Sequence, residues 1–312
     1  MLEIFKNQEL DLQRIDEFVP NSWINLVSPS QQEIESVAAL GIPQDFITYP
    51  LDVDERPRIE EEDDGTILII IRVATKHGQD SDIPYGTVPL GIILAEKYIV
   101  TVCSQETTVI QNFGAGKVSK LSTTKRYRFT LRLLMAFTTR YLDCVREISR
   151  MTDDLEDKLS DTLTNLRLMQ LFKCQKSYLY ISQALKQNEL VFVRLARLSG
   201  FKKFEEDEDL LEDVITENKQ AIDMTNINND ILVGLMDFFA SIINNNMNIV
   251  MKMLASVTII LEIPNIITGF MGMNVNWPDA IETGDTAHLV ILGVIIGCVA
   301  LAVWVFNKKD WF

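Results

Sequence analysis

Residues 253–273 form a long apolar stretch that is interrupted by polar residues at helical spacing. The stretch is long enough to cross a hydrocarbon core of about 30 Å, which takes about 20 helical residues. The interrupting residues recur every three or four positions and therefore share one face of the helix. This polar stripe consists of Thr258, Glu262, Asn265 and Gly269, extended toward the N terminus by Ala255, Met251 and, at its edge, Asn248. The pattern predicts a membrane helix with one polar face.

Glu262 is the one charged residue inside this stretch. A carboxylate that faces lipid costs at least about 2.5 kcal/mol, so such residues generally face a protein interior or a water-filled path. We therefore expect the polar stripe to line a path. The alternative is a helix–helix contact in which Glu262 is protonated or hydrogen-bonded.

A second apolar stretch, residues 289–306, contains no charged residue and ends at a basic tail, residues 307–312. No Lys or Arg lies between Lys252 and Lys308. By the positive-inside rule both termini are therefore cytoplasmic, and residues 274–288 form a loop on the other side. The pattern predicts an integral protein of the inner or plasma membrane with two C-terminal spans. The tryptophans expected at the membrane interfaces are Trp277, Trp304 and Trp311.

Residues 1–121 alternate short strand patterns with brief helices, which predicts a cytoplasmic α/β domain with a sandwich architecture. Runs rich in β-branched residues predict strands at 23–27, 66–75, 87–96 and 98–103. Helices are predicted at 30–40, with Ser30 as the N-cap, and at 106–113. The turn-forming pairs are Asp64-Gly65 and Tyr85-Gly86, and residues 114–124 are predicted to be the linker out of the domain.

Residues 122–252 have the pattern of long helices and are predicted to form a cytoplasmic stalk. Two helices are expected at 126–163 and 166–198, because Ser199-Gly200 interrupts the second. A third helix is predicted to start near Asp209 and to continue to Met273, so that it joins the stalk to the first span. The alternative is a set of shorter helices with a hinge at 244–246.

The 312-residue chain has a formal charge of −15, which argues against nucleic-acid binding. Acidic runs at 60–64 and 205–209 suggest divalent cations as partners, although a solvated acidic surface has the same pattern. The cysteines and histidines show no disulfide or zinc spacing, and the N terminus does not resemble a signal peptide. We find no catalytic motif, and we predict neither an enzyme nor a bound cofactor.

One striped helix cannot enclose a path, and the second span adds only Cys298 as a polarizable group. We therefore expect several copies of the chain to assemble, with their first spans around an axis and their second spans facing lipid. Helices are about 10 Å across, so four or five copies leave an axial opening of a few ångströms. Such an opening suits an ion.

Taken from the cytoplasm outward, the first span predicts a gate followed by a conduction path. Asn248 would form a polar ring at the inner mouth. Met251 and Leu254 would form an apolar constriction that blocks ions by dewetting. The oxygen-bearing and small residues above it are Thr258, Glu262, Asn265 and Gly269.

The outer end of the span is closed by Gly272, Met273 and Asn274. The side-chain oxygen of Asn274 can accept hydrogen bonds from the water molecules of a hydrated cation, and Mg²⁺ gives up its waters reluctantly. The loop beyond carries acidic residues that raise the local cation concentration, namely Asp279, Glu282 and Asp285.

With these features the sequence resembles the CorA family of divalent cation channels. Gly272-Met273-Asn274, at the outer end of the first of two C-terminal spans, matches the signature motif of that family. The resemblance covers the whole chain, because the α/β domain, the long helices, the NIVMKML segment before the span and the Lys-rich end also match. It implies a funnel-shaped homopentamer, an α+β membrane protein that conducts Mg²⁺ and also passes Co²⁺ or Ni²⁺.

The resemblance also implies roles for individual residues. A ring of Asn274 side chains would be the outer selectivity filter. The gate residues would be Asn248, Met251 and Leu254. The regulatory acid of the long helix, counted back from the motif, falls on Asp213, so that Mg²⁺ would be both the transported and the regulatory ion. Candidates for its partner on a neighbouring copy are His77, Asp80 and Asp82.

Glu262 departs from the better-known members of the family, which have an apolar residue at this position. Three hypotheses therefore remain open. The first is a Mg²⁺ channel that is gated by cytoplasmic divalent cations. The second is a Zn²⁺, Co²⁺ or Ni²⁺ transporter of the same fold, proton-coupled as in the ZntB branch. The third is a membrane-anchored coiled-coil scaffold that conducts nothing.

Overall fold

The computed structural model describes residues 1–8, 11–78, 81–118, 121–161, 165–273, 285–309 and 311. Side chains are described in the same ranges except at 8, 11, 158–161, 165 and 285–287. The chain divides into two compact units, Met1–Leu235 and Met236–Phe312. The domain boundaries expected from the sequence stay predictions, because these units reflect packing and not cellular compartments.

In the described part of the chain, the first unit is built on one seven-stranded sheet with the order β2-β1-β3-β7-β6-β5-β4. The strands are β1 Leu2–Gln8, β2 Asp11–Ile15, β3 Ser22–Val27, β4 Arg58–Glu61, β5 Ile67–Lys76, β6 Tyr85–Leu94 and β7 Tyr98–Cys103. β3 and β7 pair in parallel, and the other neighbouring strands pair antiparallel. The sheet is therefore mixed, with its most apolar strands at the centre.

Alternating side chains of β5 enter two different cores. Ile69 and Ile71 pack on the face that is covered by helices α3 Thr108–Gly114, α4 Arg126–Asp161 and α5 Asn165–Leu195. Leu68 and Ile70 pack on the opposite face, which is covered by α1 Gln31–Ala38 and α2 Gln44–Thr48. Because both faces of the strand are buried, its sequence is a nearly continuous apolar run.

The structure confirms the strands and helices predicted in the N-terminal part, with shifts of one or two residues at most ends. Ser30 is the N-cap of α1 and accepts a hydrogen bond from the backbone N–H of Glu33, whose carboxylate in turn accepts from the N–H of Ser30. This is a capping box, which satisfies two backbone donors at the start of the helix. The next predicted helix starts later than expected, at Thr108, because Thr107 is its N-cap.

Two predictions for this region were wrong or incomplete. Strands β1, β2 and β4, which mix polar and apolar residues, were not predicted. Tyr85 and Gly86 do not form a turn, because β6 begins at Tyr85. A Cβ at Gly86 would lie 2.6 Å from Nε2 of His77, so any other residue there would force the histidine ring to move.

The segment predicted to be a linker is attached to the sheet where it is described. The side chain of Asn7 donates to the carbonyl of Leu121 over 2.8 Å and accepts from the backbone N–H of Thr123 over 2.7 Å. Leu121 and Thr123 are both buried. This part of the connection is therefore integral to the fold and not a free linker.

The long helices follow the sequence pattern closely. α6 is one continuous helix, Glu205–Met271, and the proposed hinge at 244–246 is absent from it. It starts earlier than the predicted Asp209. Acidic residues occupy its first turn, where their negative charges interact favourably with the positive end of the helix dipole. The last helix, α7, covers Asp285–Lys308. Among the described residues, Glu205–Met271 and His288–Lys308 are long and apolar enough to cross a membrane.

Candidate functional site

The first apolar span, within α6, packs along one face. Buried and half-buried side chains recur there at Ser256, Ile260, Ile263, Ile267 and Met271. A matching half-buried row on α7 consists of Ile291, Ile295, Val299 and Ala302. Both segments belong to the second compact unit, and from the two rows we infer that these are the faces along which the helices pack.

The polar stripe lies on the other side of α6. Its side chains at Asn248, Met251, Ala255, Thr258, Glu262, Asn265 and Gly269 are all exposed in the single chain. At 3.6 residues per turn, the stripe and the buried row point about 190° apart. Leu254, the second residue of the predicted constriction, is 60% exposed. The fold thus brings the residues predicted for the gate and path to a face that α7 does not cover.

Two threonine hydroxyls in the span bond to the helix backbone. Thr258 donates to the carbonyl of Leu254 over 2.8 Å, which leaves its oxygen lone pairs free to accept from an outside donor. Thr268 donates to the carbonyl of Pro264 over 2.8 Å. Pro264 itself has no N–H to donate, so the helix lacks the hydrogen bond that residue 264 would otherwise make to the carbonyl of Ile260.

The C-terminal end of α6 closes with one helical hydrogen bond and one tighter turn. The N–H of Gly272 bonds to the carbonyl of Thr268 over 2.9 Å, and the N–H of Met273 bonds to the carbonyl of Phe270 over 3.3 Å. Met273 is half exposed. The predicted filter residue Asn274 and the loop acids Asp279 and Glu282 lie outside the described residues. Asp285 is the first residue of α7, but its side chain is not described.

The candidate regulatory residues that the structure describes lie at the surface of the first unit. Asp213 is exposed on α6, and the side chain of Asp82 is 92% exposed, with its carboxylate 3.9 Å from Nζ of Lys173. The ring of His77 contacts the hydroxyl of Thr75 over 3.2 Å. Asp80 lies outside the described residues. No group of three or more His, Cys, Asp or Glu side chains is arranged to hold a metal ion within the part of the chain that is described.

The structure adds a charged cluster beside His77 that the sequence did not predict. The Glu147 carboxylate on α4 accepts hydrogen bonds from the Tyr85 hydroxyl at 2.5 Å, the Lys76 ammonium at 3.0 Å and the Arg140 guanidinium at 2.7 Å. Partial burial alone would raise the pKa of Glu147, but these three donors lower it to about 2. Burial and the bond to Glu147 raise the pKa of Tyr85 to about 12.

A second unpredicted cluster fastens the start of α6. Arg128 on α4 bonds to the buried carboxylate of Asp207 at 2.5 Å and to the exposed carboxylate of Glu206 at 2.7 Å. The hydrogen bond to Asp207 is the main cause that raises the pKa of Arg128. One member of the acidic run is therefore structural, and not simply a solvated charge. No spacing rule pairs residues so far apart in the chain.

Comparison with known proteins identifies the family. Residues 21–309 match the family described as CorA-like Mg²⁺ transporter protein, which is most of the chain. The chain belongs to the CorA family. This is a family of divalent cation transporters, and the matched range includes every candidate residue of the CorA-like gate, path and filter.

Individual CorA relatives agree with this assignment. The cobalt/magnesium transport protein CorA of Methanocaldococcus jannaschii is 26% identical over 299 residues, which cover 93% of this chain and 90% of that protein. The complete structure of the CorA magnesium transporter from the same organism matches with a TM-score of 0.85 and 24% identity, covering 100% of this chain and 99% of that one. The full-length CmaX protein matches with a TM-score of 0.73 and 17% identity, covering 99% and 97% of the two chains. Both matches cover essentially the whole chain, which therefore has the fold of these proteins.

Proposed function

We propose that this protein is a Mg²⁺ channel, a homopentamer of the inner or plasma membrane whose pore is lined by the polar stripe of α6. The observation that carries the proposal is the opposite orientation of the stripe and of the α7-packed face. Because α7 covers the other side, the stripe's Thr, Glu and Asn oxygens are available to meet their own copies across an axis. The family assignment supports transport over the alternative of a membrane-anchored scaffold.

The proposed selectivity filter is formed by Gly272, Met273 and Asn274 at the outer end of the pore. The tight turns at Gly272 and Met273 end the helix there, which would place the next side chain at the pore mouth. A ring of neutral Asn274 oxygens would accept hydrogen bonds from the waters of a hydrated Mg²⁺ ion, whose dehydration is slow. The acids Asp279, Glu282 and Asp285 would concentrate cations outside it.

The proposed gate lies at the cytoplasmic end of the span. Asn248, Met251 and Leu254 are all exposed in the single chain, so copies around an axis could bring them together. The apolar Met251 and Leu254 would close the path by dewetting. Lys252 beside them and the basic residues after α7 support cytoplasmic termini under the positive-inside rule.

We further propose that cytoplasmic Mg²⁺ closes the channel by binding between copies. Asp213 of one copy would meet the surface around His77, Asp80 and Asp82 of the next. With the ion bound, opposed acids are neutralised and the assembly stays symmetric. When it leaves, their repulsion favours a different arrangement of the copies. Asp213 and Met251 belong to the same continuous helix, which supports a mechanical link from ligand to gate.

The proposal is tested by Mg²⁺ uptake into liposomes that contain the purified full-length protein. Asn274→Ala should reduce the uptake rate by about tenfold, the effect of losing about 1.4 kcal/mol of hydrogen bonding to the hydrated ion. Asn307→Ala, beyond the second span, is the control and should leave uptake unchanged. Normal uptake by Asn274→Ala would contradict the proposed filter.

Glu262 favours one alternative function, a proton-coupled importer of Zn²⁺ or of Co²⁺ or Ni²⁺. A carboxylate in the stripe could bind either a proton or a partly dehydrated metal ion, which favours this alternative. The scarcity of soft ligands counts against it, because Met251 is the one soft ligand that the stripe offers. This alternative predicts that a proton gradient accelerates Zn²⁺ uptake and that Glu262→Gln removes the acceleration. Zn²⁺ uptake that is indifferent to both changes would exclude it.

A further inference from the structure

The turn between β5 and β6 carries the two described candidate regulatory ligands, His77 and Asp82, and its base is bound to α4. Lys76 and Tyr85 are the last paired residues of the two strands. Their side chains converge on one oxygen of Glu147, the ammonium at 3.0 Å and the hydroxyl at 2.5 Å. The Lys76 ammonium also lies 5.4 Å from the centre of the Tyr85 ring. One carboxylate thus holds both ends of the turn.

Glu147 is itself held in place on α4. Its second oxygen accepts a hydrogen bond from Arg140, which lies two turns earlier on the same helix, at 2.7 Å. Two cations and one hydroxyl therefore share one carboxylate, and such charge-assisted bonds are about twice as strong as neutral ones. The arrangement fixes the Glu147 side chain before any ligand binds.

The other side of the turn is attached to α5. The backbone N–H of Tyr85 donates to the hydroxyl of Ser177 over 3.1 Å, and that hydroxyl donates in turn to the carbonyl of Lys173. Across the turn, the N–H of His77 bonds to the carbonyl of Pro84 over 2.9 Å. The base of the turn is therefore restrained from both helices, while Asp82 remains exposed.

We propose that Glu147 is a positioning residue that preorganises the β5–β6 turn for binding the regulatory cation between copies. The proposal rests on the function proposed above. A turn whose base is already held in place loses less conformational entropy when its ligands close on an ion, and the ion consequently binds more tightly. Without the Glu147 charge, the Lys76 and Tyr85 side chains lose this anchor, while the backbone pairing of the two strands remains, and the cation must supply part of the order of the turn itself.

The test uses the purified full-length protein in planar bilayers, with Mg²⁺ titrated on the cytoplasmic side. Glu147→Gln should raise the Mg²⁺ concentration that half-closes the channel by about tenfold, which corresponds to about 1.4 kcal/mol. The current at low cytoplasmic Mg²⁺ should stay unchanged. Lys76→Met releases the turn but keeps the Arg140–Glu147 pair, so it should shift the midpoint in the same direction and serves as the deciding variant if Glu147→Gln does not fold.

The matched control is Asp143→Asn, one turn earlier on α4, where the carboxylate pairs with Arg146 on its own helix at 3.3 Å. Its closing midpoint should equal that of the unmodified protein. A midpoint that is unchanged in Lys76→Met and in folded Glu147→Gln overturns the proposal, and so does an equal shift in Asp143→Asn. If the unmodified protein conducts Mg²⁺ but cytoplasmic Mg²⁺ does not close it, the proposed regulation fails together with this role, while the proposed pore stands.

Discussion

Ser256 and Thr258 are two residues apart on α6, yet Ser256 is completely buried and Thr258 is exposed. Two residues of helix rotate the side chain by about 200°, so the two hydroxyls point to opposite sides. The side of Ser256 packs in the half-buried row toward α7, and the side of Thr258 carries Glu262 and Asn265. This division of one helix into a packing face and a polar face is the structural basis of the proposed pore.

The Arg128 cluster predicts unequal effects of two neighbouring acids on stability. Asp207→Asn leaves the partly buried Arg128 without its buried partner, and breaking such pairs costs about 3–5 kcal/mol. We expect the thermal midpoint of the purified protein to fall by about 10 °C. Glu206→Gln removes a carboxylate that binds the same arginine but is largely exposed, so it should cost about 1 kcal/mol or less. Equal losses in the two variants would contradict the structural role of Asp207.

The lowered pKa of Glu147 predicts a window of acid sensitivity. The folded pKa of about 2 is below the ordinary value of 4.5, so the unfolded state binds the proton more readily. The stabilisation is therefore complete above about pH 4.5 and is lost as the pH falls toward 2. In thermal unfolding scans, the midpoint difference between the unmodified protein and Glu147→Gln should be constant from pH 8 to about 5 and should shrink below pH 4.5. A difference that grows on acidification would contradict this assignment.

The proposed gate predicts a leak when its apolar ring becomes polar. Met251→Ser should let water and ions pass the constriction, so that Mg²⁺ uptake persists at cytoplasmic Mg²⁺ concentrations that close the unmodified channel. Met253→Ser is the matched control, since Met253 is equally exposed in the single chain but lies off the polar stripe. Its channel should still close. A leak in Met253→Ser without one in Met251→Ser would contradict a gate on the polar stripe.

Local sequence patterns were sufficient to predict the helices and strands whose surroundings stay the same along their length. β5 was recognised because burial on both faces makes its sequence continuously apolar, and α6 because no residue before Pro264 interrupts its helical pattern. β1, β2 and β4 were missed because strands of mixed polarity are held by neighbours that the sequence does not reveal. The attachment of residues 121–123 to Asn7 was missed for the same reason.

The polar stripe and the charged clusters also differ in how far they could be predicted from the sequence. The polar stripe repeats at the helix period within one helix, so it could be found from spacing alone. Glu147 gathers donors from β5, β6 and an earlier turn of α4, and Arg128 meets Asp207, which lies 79 residues later in the chain. Side-chain clusters of this kind depend on the tertiary fold and carry no local signal.

The native cysteines of the chain favour a labelling experiment on the span. Cys103, Cys144 and Cys174 are buried, and burial raises the pKa of Cys103 to about 11 and that of Cys144 to about 12. A thiol with a raised pKa is rarely ionised and therefore reacts slowly. Cys298 is exposed on α7 and should be replaced by serine, which leaves a background suitable for single introduced cysteines.

The measurement that tests the pore most directly is the reaction of such cysteines with a membrane-impermeant, water-soluble thiol reagent in the assembled full-length protein. Thr258→Cys and Asn265→Cys lie on the polar stripe, whereas Ile260→Cys and Ile267→Cys lie on the row that packs toward α7. The account predicts rapid labelling at 258 and 265 and protection at 260 and 267. Protection at 258 and 265, or equal labelling on both faces, would contradict a water-filled path along the stripe.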